Sequence, residues 1–431
     1  MLDKITKLSN SVLQRKTAPR DENQYVVALD VGTEFVKALV AKVSDDGAID
    51  IIGVGRQHQE FADMQAGAIS DIAAVVANCD KALNQAEKQA GVSVHTAVLG
   101  IAGELVKGTT TTVRCTRKDA SKPLDVDELE HIIGLVQQRA EAKAKKELAW
   151  EIGGKDVEIR LVNSALVGIE VDGHMVTNPV GFQGKDVLIQ LYTAFAPLVH
   201  IGALERTAQE LDLDLLAVAA EPFAASRALI GDDPNANMSA ILMDVGGGTT
   251  DVAVINEGGV QGTKMFGIGG RAFTRAIERE LSIDFVQAEE IKLALDSNRI
   301  PQNKRVAIEG ALEKTLDVWL SGVELALSEF TQLDTLPNRI FLCGGGASLD
   351  ILMERLGETR WYKNLPFTKK PVIQHIKPKQ VVGILDETGE ISDHTYVTAM
   401  GLLRVGVDTL QQLNDKPTNS VREKIDRMLR I

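Results

Sequence analysis

Aromatic residues are scarce, at 4% of a 431-residue chain. A core must therefore rest on Val, Ile, Leu and Ala, and a hydrophobic fraction of 44% supplies enough of them for roughly two to four domains. Basic charge is also in deficit: 47 Lys and Arg stand against 60 Asp and Glu, a net charge of -13. Phosphate backbones demand clustered Lys and Arg, so no nucleic-acid partner is expected. Cysteine is limited to Cys79, Cys115 and Cys343, with no two at metal-ligand spacing. These read as small buried hydrophobes of a reducing compartment. The seven His include no H-x-x-x-H or H-E-x-x-H pattern, so no zinc site is expected. No apolar run approaches the ~18 residues that span a bilayer. Lys, Asp and Ser interrupt the N-terminus, which does not read as a secretory signal. The expected location is the cytoplasm or the cytoplasmic face of a membrane.

What is present divides along the chain. Residues 1–24 read as a separate arm. Leu2, Ile5, Leu8, Val12 and Leu13 fall on one helical face, and the first twenty residues hold five basic side chains against Asp3. The fold proper starts at Tyr25. Strands are expected at 25–30, 36–43, 48–54 and 95–101, with a helix over 71–90. Residues 104–184 have another texture, with a β-rich segment at 109–113, a charged helix over 126–148 and strands at 157–162 and 165–171, and read as an inserted α+β unit. From 185 to 230 the first texture returns, with a strand at 187–195 and a helix from Pro222. A second domain is expected over 231–405, a polar linker over 406–420, and a short helix over 421–431.

The second half repeats the plan of the first. Asp30-Val31-Gly32-Thr33 and Asp244-Val245-Gly246-Gly247-Gly248-Thr249 both run strand, acid, tight turn, hydroxyl, strand. Such a repeat implies two related α/β domains facing each other across a cleft. Glycine lets backbone N–H groups approach phosphate oxygens, so Gly32, Thr33, Gly246, Gly247, Gly248, Thr249 and Thr250 are candidate phosphate contacts. Asp244 closes its strand just before the turn and could order the water shell of Mg²⁺, which takes few protein ligands, and Asp30 marks the matching turn. Read alone, either turn is also a plain Gly-rich hairpin. Glu221, at a strand-to-helix junction, suits either the polarisation of a water or simple charge complementarity at a helix N-terminus. Gly269 and Gly270 precede a helix that could receive phosphate or ribose oxygens. Gly344, Gly345 and Gly346 follow a strand in the same manner. Glu289 and Lys292 share a helical face, as an ordinary solvated ion pair would too. In the tail, Val421, Ile425, Met428 and Leu429 form an apolar face opposite Arg422, Lys424, Arg427 and Arg430. That pattern suits an anionic membrane surface or a helix docked on the protein itself.

Together these segments resemble the actin-like ATPase superfamily, and within it the FtsA family of bacterial cell-division proteins. Narrower marks are Ile51-Ile52-Gly53-Val54-Gly55, Gly67-Ala68-Ile69-Ser70-Asp71, Asn178-Pro179-Val180-Gly181 and Ala399-Met400-Gly401-Leu402-Leu403. The resemblance implies an actin-like two-domain fold with duplicated cores around an ATP cleft (1A over 25–103 and 185–230, 2A/2B over 231–405). It makes 104–184 the family's subdomain 1C and 421–431 its membrane-targeting helix. It implies catalytic roles for Glu221, Asp244 and Asp30, nucleoside contacts for Glu289 and Lys292, and ATP with Mg²⁺ as cofactors. The implied activity is a weak ATPase at most, chiefly an ATP-binding scaffold. Implied partners are the FtsZ C-terminal tail, further copies of the chain in a filament, the membrane, and later division proteins through 1C. The implied place is the cytoplasmic face of the membrane at the division site. Two features depart from the family: the arm is longer, and the tail lacks Trp or Phe, so each anchor should be weak and polymerisation would add many together. A pilus-assembly protein of the PilM type shares this core without the tail, and a small-metabolite kinase of the same superfamily is the alternative from another class.

Overall fold

In a computed structural model of the chain, residues 25–44, 47–154, 156–230, 237–295, 302–358 and 360–414 are described. The arm over 1–24 and the helix expected over 421–431, with Val421, Ile425, Met428 and Leu429, lie outside them.

The first half runs β1 (Tyr25–Val31), β2 (Phe35–Val43), β3 (Ile49–His58), a minimal hairpin of β4 (Met64–Gln65) and β5 (Ala68–Ile69), α1 (Ile72–Ala90), β6 (Thr96–Ile101), β7 (Lys107–Thr116), α2 (Val126–Glu151), β8 (Ile159–Val171), β9 (His174–Met175), β10 (Asp186–Pro197), α3 (Leu198–Glu210), β11 (Asp214–Ala220) and α4 (Glu221–Ile230). The second runs β12 (Ala240–Val245), β13 (Thr250–Asn256), β14 (Gly259–Phe266), α5 (Gly270–Leu281), α6 (Phe285–Leu293), α7 (Gln302–Ser328), β15 (Arg339–Cys343), α8 (Asp350–Glu358), β16 (Val372–His375), β17 (Ile384–Asp386) and α9 (Val397–Asn414).

The repeat seen in the sequence is a repeat of topology. In the first sheet, β1 pairs antiparallel with β2 and β2 with β3, while β6 and then β11 add in parallel on the other side. In the second, β12 pairs antiparallel with β13 and β13 with β14, while β15 and then β16 add in parallel. Both central strands are apolar runs buried on two faces, as a doubly covered sheet requires. On β12, Ala240 and Leu242 enter the core of the first half, while Ile241, Met243 and Val245 enter the other. Helices α4 and α9 pack together between the sheets, α9 against β1 and α4 against β13. The helix starts follow local chemistry: Asp71, Asp125 and Asp284 each cap a helix by accepting from a backbone N–H three residues on.

Three elements differ from expectation. The strand at 187–195 was read with the first domain, but β10 lies between β7 and β8. Its apolar run shows that it is central without saying in which sheet. Two residue pairs then join β7 to β14, so the insertion and the second half share one nine-stranded sheet. The seam is fastened by the buried Tyr192 and Thr263 hydroxyls, 3.1 Å apart. Segments 157–162 and 165–171, read as two strands, form the single irregular strand β8. Finally, the polar linker expected from 406 does not begin there, because α9 continues to Asn414 and buries Val407 at helical spacing from Leu403.

Candidate functional site

The two equivalent hairpins meet at a cavity of about 530 Å³. Its walls include Asp30, Gly32 and Thr33 from the first turn, and Asp244, Gly246, Gly247 and Thr249 from the second. Glu221, Gly270, Glu289, Lys292, Gly344, Gly345 and Gly346 complete the expected set that lines it. Gly248, Thr250 and Gly269 do not line it. Strand alternation places Asp251 inward and Thr250 outward. The Thr250 hydroxyl donates to the Ile268 carbonyl over 2.7 Å and accepts from Trp319 Nε1 over 2.9 Å, a core role rather than a ligand contact.

Register decides the electrostatics. In the first hairpin Asp30 stands opposite Lys37, and the ammonium donates to Asp30 Oδ2 over 2.8 Å. In the second hairpin Asp244 stands opposite Asp251, a pair of acids. Asp30, Glu221, Asp244 and Asp251 are all buried. Burial pushes the Glu221 carboxyl well up, and the charges of Asp30, Asp251 and Asp244 add to it. Burial raises Asp251 strongly as well, with Asp244 next in effect. Asp244 is raised by burial, against hydrogen bonding from the Thr398 hydroxyl and the nearby Lys37 charge. Burial works against the Lys37 ammonium, but Asp30, Asp244 and Glu221 outweigh it and raise its pKa. Oδ1 of Asp251 is buried without a hydrogen-bond partner among the described residues.

Four buried carboxyl groups around one lysine repel one another when ionised, a repulsion that a hydrated cation would relieve. Among the described residues no three His, Cys, Asp or Glu groups converge closely enough to hold a bare ion. Carboxyl groups spaced in this way suit an ion that keeps its own waters, as Mg²⁺ does. The third Gly-rich segment closes over this cluster. Gly344 has φ +82°, and a Cβ there would lie 2.0 Å from Asp244 Oδ1, so only glycine lets the loop approach the acid.

The remaining candidates take structural as well as ligand-facing places. Lys292 Nζ lies 2.7 Å from Glu289 Oε2, donates to Thr274 Oγ1 over 2.9 Å, and is 8% exposed. It is therefore not the solvated surface pair that its spacing alone allowed. The N-terminus of α5 does not offer its first amides to a ligand. The Gly270 and Arg271 N–H groups donate to the Gly246 and Gly247 carbonyls over 2.9 and 2.8 Å. They hold the second turn in shape instead.

Sequence reasoning missed Lys37, Glu34, Arg271 and Thr398, and gave Asp251 no role of its own. Lys37 was recoverable: a hairpin centred on residues 32–34 places it opposite Asp30. Nothing local marks Arg271 or Thr398, which reach the site from distant segments.

The model of the family described as Cell division protein FtsA matches residues 241–401. The Cell division protein FtsA of Pseudomonas aeruginosa is 24% identical over 417 residues, covering 92% of each chain. That of Bacillus subtilis strain 168 is 25% identical over 278 residues, covering 64% of this chain and 59% of that protein. A solved structure described as the PilM-PilN type IV pilus biogenesis complex superposes with a TM-score of 0.62 at 17% identity, covering 90% of this chain and 99% of that one. At that identity the likeness is one of fold.

Proposed function

We propose that the chain, which is similar to FtsA cell-division proteins, is a member of that actin-like family, binds Mg²⁺-ATP in the cleft and acts as a membrane-bound scaffold of the division site. The observation that carries the nucleotide reading is the meeting of two equivalent turns around one cavity lined by buried carboxyl groups. In this reading Gly32, Thr33, Gly246, Gly247 and Thr249 bound the phosphates. Lys37 offers them a cation, and Asp30 and Asp244 order the ion's water shell. Bound there, Mg²⁺ would neutralise phosphate charge. Glu221 faces the same space and would position a water. Glu289 and Lys292 border the nucleoside, with the loop at Gly344 to Gly346 beside it.

The nucleotide's main work is to fix the relation of the two halves for assembly, with slow turnover at most. The assembled form is a filament on the cytoplasmic face of the membrane, held by residues 421–431. It ties the FtsZ C-terminal tail to that surface through the second domain, and recruits later division proteins through the insertion over 104–184. A PilM-type role shares the fold, but the similarity to FtsA proteins along 92% of the chain favours division.

Isothermal titration of ATP with and without Mg²⁺ tests the cleft. Wild-type protein should bind ATP in a Mg²⁺-dependent manner, and Asp244→Ala should bind at least about tenfold more weakly, ~1.4 kcal/mol. Equal affinity for the two proteins would remove Asp244 from the site.

A further inference from the structure

One arginine fastens the two halves of the chain together at the mouth of the cleft. Arg271 stands in the first turn of α5, in the second half. Its Nε donates to Glu34 Oε2 over 2.8 Å, Nη2 to the Thr33 carbonyl over 2.7 Å, and Nη1 to the Phe61 carbonyl over 3.3 Å. All three acceptors belong to the first half, and Thr33 and Glu34 lie in its phosphate-facing turn. The guanidinium also lies 5.0 Å from the centre of the Phe61 ring, and Arg275, one turn further along α5, lies 4.6 Å from the same ring. Phe61 in turn meets Phe285 of α6 at 5.2 Å between ring centres. The other oxygen of Glu34 is 2.8 Å from His58 Nε2, which keeps that carboxylate aimed at the cleft.

The same residue holds the second phosphate-facing turn, since the Arg271 N–H donates to the Gly247 carbonyl over 2.8 Å. One side chain and its own backbone therefore fix the separation of the two turns. They stand in contact: a Cβ on Gly248 would lie 2.8 Å from Thr33 Oγ1. Arg271 is only 8% exposed, so its charge-assisted hydrogen bonds are shielded from water. A planar guanidinium can serve three acceptors at once, which a lysine ammonium at this site cannot reproduce with the same geometry.

We propose that Arg271 and Glu34 form a clasp that holds the cleft closed, so that a bound nucleotide leaves only when this pair parts. Arg271 acts as a positioning residue, through the two turns. The ligand in this statement rests on the nucleotide reading above; the closure itself does not. The clasp also makes release a property of a contact between halves, separable from the affinity of the phosphate-facing groups.

Two readouts on the full-length protein test it. Nitroxide labels at Lys81→Cys and Glu290→Cys, on a Cys115→Ser background, report the distance between the halves without nucleotide. Stopped-flow release of a fluorescent ATP analogue reports the barrier to exit. Arg271→Lys, Arg271→Glu and Glu34→Arg should each lengthen or broaden the label distance and speed release about tenfold or more, with a smaller change in association rate. The charge exchange Glu34→Arg with Arg271→Glu should release more slowly than either single reversal. Unchanged distances in the single variants, or an exchange no better than its parents, would overturn the clasp. Absence of analogue binding by the wild type would refute the nucleotide reading instead, leaving the distance measurement to judge the clasp.

Discussion

Lys37 donates to Asp30 over 2.8 Å across the first hairpin, and the equivalent place in the second hairpin holds an acid, Asp251, opposite Asp244. The duplicated halves are thus not electrostatic copies. One wall of the cleft brings a neutralised pair, and the other brings two carboxylates. Under the proposed function, the wall with two carboxyl groups is the one that would take the cation.

Removing the lysine should be costly even without ligand. Lys37→Ala leaves Asp30 buried beside Glu221 and Asp244 with no counter-charge. Breaking such a pair typically costs about 3–5 kcal/mol. Urea unfolding of the nucleotide-free protein should show a loss near the lower end of that range, since the Lys37 side chain is 12% exposed. A variant as stable as the wild type would show that Asp30 finds another partner.

The buried Glu221 gives a pH signature. Its carboxyl is raised above the ordinary 4.5 by burial and by Asp30, Asp251 and Asp244. The folded state therefore holds this proton more tightly than the unfolded chain does. That contribution to stability is complete below pH 4.5 and is lost as pH rises through the folded value. Glu221→Gln should consequently melt above the wild type at pH 7.5 without nucleotide, with the gap closing as pH falls towards 4.5. A variant that melts lower at pH 7.5, or a gap independent of pH, contradicts the assignment.

Thr250 should separate from its neighbours in the same turn. Thr250→Val keeps the shape but leaves Trp319 Nε1 without its buried acceptor. A loss of about 1–3 kcal/mol in unfolding free energy is expected. ATP affinity should stay within about twofold, a difference of ~0.4 kcal/mol. A selective loss of ATP binding at wild-type stability would return Thr250 to the ligand set.

The duplicated halves were legible because turn chemistry is local. Asp, Gly and Thr at fixed offsets after an apolar strand mark both hairpins, and the fold places both on one cavity. Pairing was less legible. The run at 187–195 shows a buried strand, but its neighbours are chosen by the packing of α2 against Ile169, Val187 and Ile189. The end of α9 was hidden by polar residues between Val407 and Leu410, which still fall on its buried face. Arg271 and Thr398 were invisible for a related reason. Their partners Glu34 and Asp244 lie 237 and 154 residues away along the chain, and one sequence holds no trace of which distant groups will meet.

The central claim is that nucleotide in this cleft drives assembly on a membrane, and electron microscopy on an anionic lipid monolayer tests it most directly. With Mg²⁺-ATP the full chain should form filaments on the lipid. Deletion of residues 421–431 should abolish them there while leaving ATP binding intact. Filaments that form equally well without nucleotide, or a full chain that binds Mg²⁺-ATP yet never assembles on the lipid, would contradict the account.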